Sequence, residues 1–425
     1  MSLGHRYHRL FAASTVSNLG DGMFLIALPL VAADLTRDPT QIAAVTFALR
    51  LPWLLFALVA GALVDRSDRR RVMWIADVVR AVLVAGLALA VLTDQHSIVL
   101  LCVVGFALGI AETFFDNAAQ TIMPSLIDDP DDLPKANGRL FSAETIANNF
   151  VGPPLGGLLV AVAASVPFWI NAASFLAATA LIASIPGSFR AARTTEGADA
   201  PRRSLRSEIA EGVRWLRGHR LLRTLALLLG LMNLWFTAAF SILVLFAQDI
   251  LDLGDVGFGV LGTSMAFGSV LAGVVTSRLE RRFGPGPLLL AGAFGIALTQ
   301  LAVGPLSNAW LVGLMLAASG FFAVLWNVVT VSLRQTIIPD ELLGRVNSVY
   351  RFLGWGGMPI GALIGGVLAD AYGLRAPFYV GGTVLVVASL VAAPVFTTRE
   401  VQQAKDAALA RSGADEPTGE ITRPG

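Results

Sequence analysis

The sequence predicts an all-α polytopic membrane protein with twelve transmembrane helices in two pseudo-symmetric six-helix bundles. Of its 425 residues, 55% are hydrophobic and only 14% are charged, whereas roughly a quarter of the residues in an ordinary soluble domain are charged. Apolar runs long enough to cross a bilayer recur along the chain, and the second half repeats sequence patterns of the first. This composition excludes a soluble enzyme.

Twelve apolar runs of about 18 residues or more indicate membrane-spanning helices. The predicted spans are 11–33, 40–63, 72–92, 97–118, 139–162, 167–185, 222–248, 256–276, 287–304, 309–332, 346–369 and 376–396. The first run follows Arg6 and Arg9 as a signal peptide would, but it carries Asp21 and lacks a small-residue cleavage site. We interpret it as a retained helix.

The distribution of basic residues predicts how the chain is oriented in the membrane. Of 31 Lys and Arg residues, 26 lie in the even-numbered connections and the two tails, and the odd-numbered connections hold only Arg37 and Arg375. Because Lys and Arg concentrate on the cytoplasmic side, we expect both termini there. The expected location is a bacterial-type inner membrane, which the chain crosses many times.

Polar and apolar segments divide the chain into four predicted parts. These are an N-terminal bundle over 1–189, a cytoplasmic linker over 190–221, a C-terminal bundle over 222–398 and a disordered tail over 399–425. Apolar residues at helical spacing within the linker are Leu205, Ile209, Val213 and Leu216. They predict an amphipathic helix that lies on the membrane surface or packs under the bundle. The tail lacks apolar periodicity, which is typical of disorder.

Several classes of function lack the residues that they need. The net charge of +1 gives no reason to expect nucleic acid as a partner. Neither lysine, Lys135 or Lys405, is followed by Ser or Thr, so the sequence contains no nucleotide-binding phosphate loop. One cysteine and four histidines without metal-ligand spacing predict neither a metal site nor a cofactor. Asp128–Asp132 contains the D-D-x-x-D pattern of membrane prenyltransferases, but its single copy and its proline favour a solvated acidic loop.

An internal repeat relates the two groups of six spans. The matching segments are Gly61–Arg71 with Gly273–Phe283, Thr121–Pro124 with Thr336–Pro339, and Gly152–Gly156 with Gly357–Gly361. The offsets are 212, 215 and 205 residues. Six-helix halves of equal topology are parallel repeats, and such repeats place a substrate site between the halves near the membrane midplane.

After the second predicted span the sequence carries a charged turn, GALVDRSDRRR. It resembles the signature of the major facilitator superfamily, Gly-x-x-x-Asp-Arg/Lys-x-Gly-Arg/Lys-Arg/Lys, and Asp68 stands where the signature has glycine. The matching residues are Gly61, Asp65, Arg66, Arg69 and Arg70. The resemblance extends to about Phe396 and implies that these residues form a cytoplasmic gate motif. Asp65 would latch the second and third helices to a neighbour from the other half.

Three further segments resemble the drug-efflux branch of that superfamily, whose members include macrolide exporters and the enterobactin exporter. They are SNLGDG in the first span, LRLPWLLFALVAGALVDRSDRRR after it and FVGPPLGG in the fifth span. The resemblance implies outward export of amphipathic small molecules by a monomer, driven by proton entry, with substrate, protons and the lipid bilayer as partners. An exporter of siderophores or secondary metabolites is the alternative, and a nutrient uptake symporter comes third.

Ionisable residues inside apolar spans are candidates for proton coupling, since an uncompensated charge there costs several kcal/mol. At 1.5 Å per residue, Asp21 lies roughly 15 Å from the inner end of the first helix and Arg50 roughly 20 Å from that of the second. Asp21 is the predicted proton carrier. The alternatives are that it makes a structural polar contact between helices or forms a permanent ion pair with Arg50. Glu112 and Asp116 share one face of the fourth helix. They would serve a cavity, or they would be structural if they face Arg80 or Asp77.

Small residues in the fifth span, with partial copies in the eleventh, form a predicted helix-bend motif. These residues are Gly152, Pro153, Pro154, Gly156, Gly157, Gly357, Pro359 and Gly361. They leave main-chain carbonyls without partners and permit close packing, so a bend or ordinary helix packing would explain them.

Aromatic and amide side chains in the seventh and tenth spans are candidates for the substrate pocket. They are Asn233, Trp235, Phe236, Phe240, Phe321, Phe322, Trp326 and Asn327. Such rings would suit drug-like cations, and the amides would donate or accept hydrogen bonds. Contact with lipid or with the helix core is the alternative for each of these aromatic residues.

Overall fold

The computed structural model describes residues 3–64, 66–127, 129–187, 189 and 205–414. Within these residues, twelve helices are long and apolar enough to cross a membrane. This described part of the chain is helical and holds no β-strand. The predicted all-α fold with twelve spans is therefore confirmed.

The first six spans are helices joined by short connections. They are Gly4–Leu35, Pro39–Val64, Arg69–Leu92, Ile98–Ile122, Leu133–Val162 and Val166–Ala183. A π-helical turn, Ile146–Val151, interrupts the fifth span directly before Gly152, Pro153 and Pro154. Because proline has no N–H to donate, the regular ladder of hydrogen bonds is broken at this point.

The last six spans follow the linker. They are Arg220–Phe240, Asp255–Phe283, Pro285–Val303, Ala309–Ile337, Asp340–Tyr372 and Ala376–Ala392. The sequence predicts a seventh span that continues to residue 248, whereas the regular helix ends at Phe240. A turn, a short helix over Leu243–Leu245 and a π-helical turn over Phe246–Ile250 follow. Composition does not reveal this break, because residues 242–247 are all apolar, as they would be in a continuous span, and they are buried.

Side-chain caps set where two of the spans begin. Asp38 accepts hydrogen bonds from the main-chain N–H groups of Thr40 at 2.8 Å and Gln41 at 3.2 Å. The Gln41 side-chain amide also donates, at 2.8 Å, and these hydrogen bonds hold the pKa of Asp38 below its usual value. Asp68 accepts from the Arg71 N–H at 3.2 Å and has a negative φ. Aspartate therefore caps the third helix at the signature position that glycine usually occupies.

The buried core shows how the two halves meet. Because the number of spans is even, the described chain begins and ends at one end of the bundle, which we call the terminal face. At the opposite face a single apolar core joins both halves, with Leu30 and Phe168 from the first and Phe246 and Phe258 from the second. Towards the terminal face each half has a separate core. Among the described residues, a core shared by the two halves is therefore present at the opposite face only.

Close approaches of the main chain complete this seal. The halves touch through the second and eleventh spans and through the fifth and eighth. A Cβ added at Gly259 would lie 2.6 Å from the Pro153 carbonyl oxygen, so only glycine permits this approach. Between the first and second spans, Arg37 donates across the interface to Gln248 at 2.5 Å and to Asp249 at 3.4 Å.

The linker contains the predicted helix, Leu205–Gly218. It packs against the eleventh span, where the Arg345 guanidinium lies 2.9 Å from the Glu211 carboxylate and Leu216 is buried. Of the two arrangements that the sequence allows, the structure shows a helix packed against the bundle. The remainder of the linker, residues 190–204, lies outside the described residues.

The prediction of a disordered tail is wrong for residues 399–414, because Thr398–Ala414 is helical. Val401 is buried and Ala404 is partly buried against the core of the second half. A helix that docks on an existing bundle needs only a narrow apolar stripe, since packing supplies most helical stability. Residues 415–425 lie outside the described part.

Gly156→Ala should lower the melting temperature, because the new Cβ would lie 2.6 Å from the Met23 carbonyl oxygen and push the fifth span from the first. Gly86→Ala is the matched control, since Gly86 lies within the third helix with no atom within 4 Å of the added Cβ. Alanine there should stabilise by about 0.5–1 kcal/mol. Thermal unfolding of the purified variants in detergent measures both effects, and equal losses would contradict this packing.

Candidate functional site

A cavity of about 760 Å³ lies within the first half, and we call it the polar cavity. Its lining runs from Met123 and Asn137 near the terminal face to Phe24 and Leu108 at mid-depth. The charged residues that line it are Asp21, Arg50, Arg80, Glu112, Asp116 and Glu144. Four carboxyl groups thus share the cavity with two guanidinium groups, so full ionisation would leave it negatively charged.

Arg80, in the third span, is the centre of the charged cluster. Its guanidinium lies 2.9 Å from the Asp21 carboxylate of the first span and 3.2 Å from Asp77 on its own helix. The same group lies 4.1 Å from the centre of the Phe175 ring and 5.3 Å from that of Phe115. Phe175 belongs to the sixth span and Phe115 to the fourth, so this single side chain contacts groups from three neighbouring spans.

The expected alternative of an ion pair between Asp21 and Arg50 is wrong, because Asp21 pairs with Arg80. Counting residues along a helix gives the depth of a side chain in the membrane but not the direction in which it points. The first span packs on the sixth, and the third span packs on the sixth and the fourth. This packing brings the Arg80 side chain to Asp21, whereas Arg50 lines another part of the cavity.

Glu112 and Asp116 line the cavity on the side of the fourth span and act electrostatically on Arg80. These carboxyls thus line a cavity and also neighbour the third span, so their position agrees with either of the two expected roles. Glu144, in the fifth span, accepts a hydrogen bond from the Ser14 hydroxyl at 2.9 Å. Asn148 donates to the Asn18 side chain at 3.3 Å. Polar groups from the first and fifth spans thus continue the cavity wall.

A second cavity, of about 320 Å³, lies between the two halves, and we call it the inter-half cavity. Its walls are mainly apolar, and they include Phe24, Phe236, Phe240, Phe258, Met265 and Met358. Hydroxyl groups from Thr46, Thr237, Ser241 and Ser269 also belong to its lining residues. The two cavities share Phe24, Leu25, Leu49, Arg50 and Asn149. They are therefore neighbouring parts of one internal space.

The structure places only two of the predicted pocket residues, Phe236 and Phe240, at the inter-half cavity. Their rings stack with centres 5.5 Å apart. The other candidates do not line it: Asn233 donates to the Gly354 carbonyl at 2.8 Å, and Asn327 is exposed outside both cavities. Trp235 and Trp326 are buried within the second half.

The two remaining aromatic candidates, Phe321 and Phe322, also lie outside this cavity. Phe322 packs against Gly295 and makes an edge contact with Phe321. Sequence reasoning missed Phe24, Phe258, Met265 and Met358, which come from the first, eighth and eleventh spans. The internal repeat was the one sequence signal that placed a site between the halves, but a repeat does not identify which side chains line that site.

The gate motif lies at the terminal face, where Asp65 falls outside the described residues. Arg70 donates to the Ile185 carbonyl at the end of the sixth span, and the Arg69 N–H donates to Phe189 at 3.4 Å. Arg66 is exposed, and Gly61 lies in the last turn of the second span near Asn117. These described contacts remain within the first half, as expected where the halves are apart.

The helix-bend motif combines a break with close packing. A Cβ at Gly152 would lie 2.6 Å from the Gly22 Cα, and Gly157 abuts Asp255 of the eighth span. In the repeat, Gly357 and Gly361 pack on the seventh span, but the helix around Pro359 remains α-helical. Only the first-half copy therefore carries the π-helical turn.

The acidic loop shows no arrangement for a diphosphate-bound metal in its described part. Asp128 lies outside the described residues, and Asp132 pairs with Lys135 at 3.4 Å. Among the residues that the structure describes, no group of three or more His, Cys, Asp or Glu side chains is placed to hold a metal ion.

Residues 4–419 match the family described as transmembrane secretion effector. The multidrug efflux pump Tap of Mycolicibacterium fortuitum is 28% identical over 392 residues, covering 87% of this chain and 90% of the relative. Macrolide efflux protein A of Streptococcus pyogenes is 24% identical over 391 residues, covering 91% and 95%.

A bacterial homologue of the iron transporter ferroportin, solved in an inward-facing state, shares the fold with a TM-score of 0.72. It is 17% identical, and the match covers 93% of this chain and 100% of that structure. The family match, the twelve spans and the two connected cavities agree with one another. The chain belongs to the transmembrane secretion effector family of the major facilitator superfamily, and it is a multi-pass membrane transporter of small molecules, not an enzyme.

Proposed function

We propose that this transporter exports amphipathic small molecules by proton antiport through alternating access. The observation that carries the proposal is the ion pair between Asp21 and Arg80, whose charged atoms lie 2.9 Å apart. It lies in the wall of a cavity that connects to the apolar space between the halves. Proton coupling requires a carboxyl group that can gain and lose a proton close to the substrate. Asp21, paired with a permanent cation beside a substrate-sized space, meets this requirement.

The orientation of the chain assigns a side of the membrane to this conformation. The excess of basic residues supports a terminal face in the cytoplasm of a bacterial-type inner membrane. The polar cavity approaches that face, while the opposite face is sealed by the shared core and by glycine contacts. The conformation is accordingly inward-facing, ready to take substrate from the cytoplasm.

Asp21 is the proposed proton carrier because its helix also forms part of the inter-half cavity. Phe24 and Leu25 follow Asp21 by three and four residues, so they lie one turn away on the same face. Protonation of Asp21 removes the charge that holds Arg80. The first span is then free to shift, and the shift reaches the cavity through these two side chains.

The fields around Asp21 come from several helices. Arg80 and Asp77 face it from the third span, and Glu112 from the fourth. Asp116 and Glu144 line the same cavity, as does Arg50 from the second span. Because one guanidinium faces several carboxyls, gain or loss of one proton changes which carboxyl Arg80 holds.

The apolar walls of the inter-half cavity support amphipathic substrates. Stacked phenylalanine rings and methionine side chains fit flat or flexible apolar molecules without demanding one shape. By name, one relative is a multidrug efflux pump and another a macrolide efflux protein. Drugs of this kind, including macrolides, are therefore the proposed substrates, and outward transport is the proposed direction.

Asp21→Asn should abolish export of labelled erythromycin driven by a pH gradient in proteoliposomes, because asparagine cannot carry the proton. Exchange of erythromycin across the same membrane without a gradient should persist, since it needs no net proton movement. Asp370→Asn, which changes an exposed carboxyl near the end of the eleventh span, is the control and should keep both activities. Full gradient-driven export by Asp21→Asn would refute this role.

Arg80→Gln should destabilise the protein by about 3–5 kcal/mol, because it leaves Asp21 and Asp77 without their cation in the bundle interior. Adding Asp77→Asn should restore part of the loss, as one uncompensated carboxylate is then removed. The melting temperature in detergent reports the change, with Arg351→Gln, an exposed arginine, as control. An Arg80→Gln variant as stable as the parent would show that the cluster does not hold the bundle together.

Topology is tested with single cysteines after Cys102→Ser removes the native thiol. Ser125→Cys lies in an exposed position of the connection after the fourth span, and Gln95→Cys lies exposed in the connection before it. In intact cells a membrane-impermeant maleimide should label Gln95→Cys and spare Ser125→Cys. The reverse pattern would place the terminal face outside and invert the proposed direction.

A further inference from the structure

Arg50 lies where the polar cavity meets the inter-half cavity, and it lines both. It belongs to the second span and is partly buried. No carboxylate of the described residues lies within 4.0 Å of its guanidinium, and none of their polar atoms accepts a hydrogen bond from it. In this conformation Arg50 is thus a cation without a partner among the residues that the structure describes.

Two of the four carboxyls that line the polar cavity bind other side chains, and the other two act electrostatically on Arg80. Asp21 holds Arg80 at 2.9 Å, and Glu144 accepts from Ser14 at 2.9 Å. Glu112 and Asp116 act on Arg80. An arginine does not lose its proton in proteins, so the charge of Arg50 persists throughout the cycle. A persistent charge at membrane depth is costly unless some group compensates it, which points to the substrate as the partner.

The chemistry of the inter-half cavity limits what that partner is. Arg50 is the only charged residue among the described residues that line this cavity. A positive group of the substrate would meet repulsion there and no carboxylate. In the polar cavity the same positive group would find four carboxyls. A cationic substrate is therefore oriented, with its charge towards the polar cavity and its apolar body between the halves.

We propose that Arg50 is a specificity-determining residue that binds an acceptor oxygen, a carbonyl or a carboxylate, on an amphipathic cation. The guanidinium offers a planar fork of N–H donors for such an oxygen. The cationic group of the substrate lies among the carboxyls of the polar cavity, and its apolar body fills the inter-half cavity. This inference rests on the proposed function, because it takes the connected cavities as the substrate site.

The proposal also agrees with exchange of substrate for protons. A cation and a proton compete for the same carboxyl groups, so binding of one favours release of the other. The oxygen contact at Arg50 lies outside this competition, since the charge of Arg50 does not change. Arg50 accordingly selects which cations are bound, and the carboxyl groups couple their binding to proton release.

Three dyes with one cationic ring system test the role of Arg50. Tetramethylrosamine lacks an acceptor group on its phenyl ring, tetramethylrhodamine methyl ester has an ester there, and tetramethylrhodamine has a carboxylate. Their dissociation constants are measured by fluorescence polarisation, with the protein in nanodiscs of phosphatidylcholine and empty nanodiscs as the correction. The parent protein should bind the ester about tenfold more tightly than the rosamine, and the carboxylate more tightly still.

Arg50→Gln should bring the three constants within about twofold of each other, and Arg50→Lys should retain part of the order, because lysine lacks the fork. Arg351→Gln removes an exposed arginine outside both cavities and should leave the order unchanged. Equal binding of the ester and the rosamine by the parent protein would overturn the proposal, and this result needs no variant to fold. An equal weakening of all three dyes in Arg50→Gln would also overturn it, since Arg50 would then only shape the cavity.

Dye export into inverted vesicles separates this proposal from the proposed function. Export of all three dyes at equal rates under a pH gradient would support proton-driven efflux and overturn the role of Arg50. Ordered binding without gradient-driven export would support the role of Arg50 and overturn proton antiport.

Discussion

The cation at the centre of the first half organises much of this transporter. Arg80 must be compensated because an isolated charge in the membrane interior costs several kcal/mol. Asp21 and Asp77 supply the compensation, and rings from the fourth and sixth spans cover the guanidinium. The relative positions of the first, third, fourth and sixth spans are thus tied to one group. In the proposed transport cycle, the same group changes its partner when Asp21 gains a proton.

The two halves share a topology but divide the chemistry between them. Every charged residue that lines either cavity comes from the first half, whereas the second half contributes phenylalanine, methionine and hydroxyl groups. In the proposed mechanism, the first half provides the proton-sensitive element, and the second half provides most of the apolar wall. Span one joins the two roles, since Asp21 faces Arg80 and Phe24 lines the space between the halves.

Movement between the halves depends on contacts that are close but weakly polar. Gly157 and Gly259 allow the fifth and eighth spans to approach main chain to main chain at the sealed face. Such contacts are stabilised by many small dispersion terms, so they can separate without leaving a buried charge unpaired. Arg37, which bridges to Gln248 and Asp249, is exposed and can be rehydrated when the seal opens. Such an interface suits the reversible opening that the proposed alternating access requires.

Hydrophobicity along the chain determined the number of spans and their order, because every helix that crosses lipid must be apolar for about 20 residues. Matching sequence segments in the two halves indicated the internal repeat. The apolar run around Asp21 also identified this residue as a functional candidate, since carboxylates are rare inside membrane spans. Tertiary structure decided which arginine pairs with Asp21. Counting residues along a helix gives the depth of a side chain in the membrane, but it does not show that the Arg80 side chain points to Asp21 and the Arg50 side chain does not. Side-chain direction also explains why Trp235 and Trp326 lie in the core. For the same reason Phe24 and Met358 line the inter-half cavity. Which face of a helix meets a neighbour, a cavity or lipid depends on how twelve helices pack together, and no single helix encodes that arrangement.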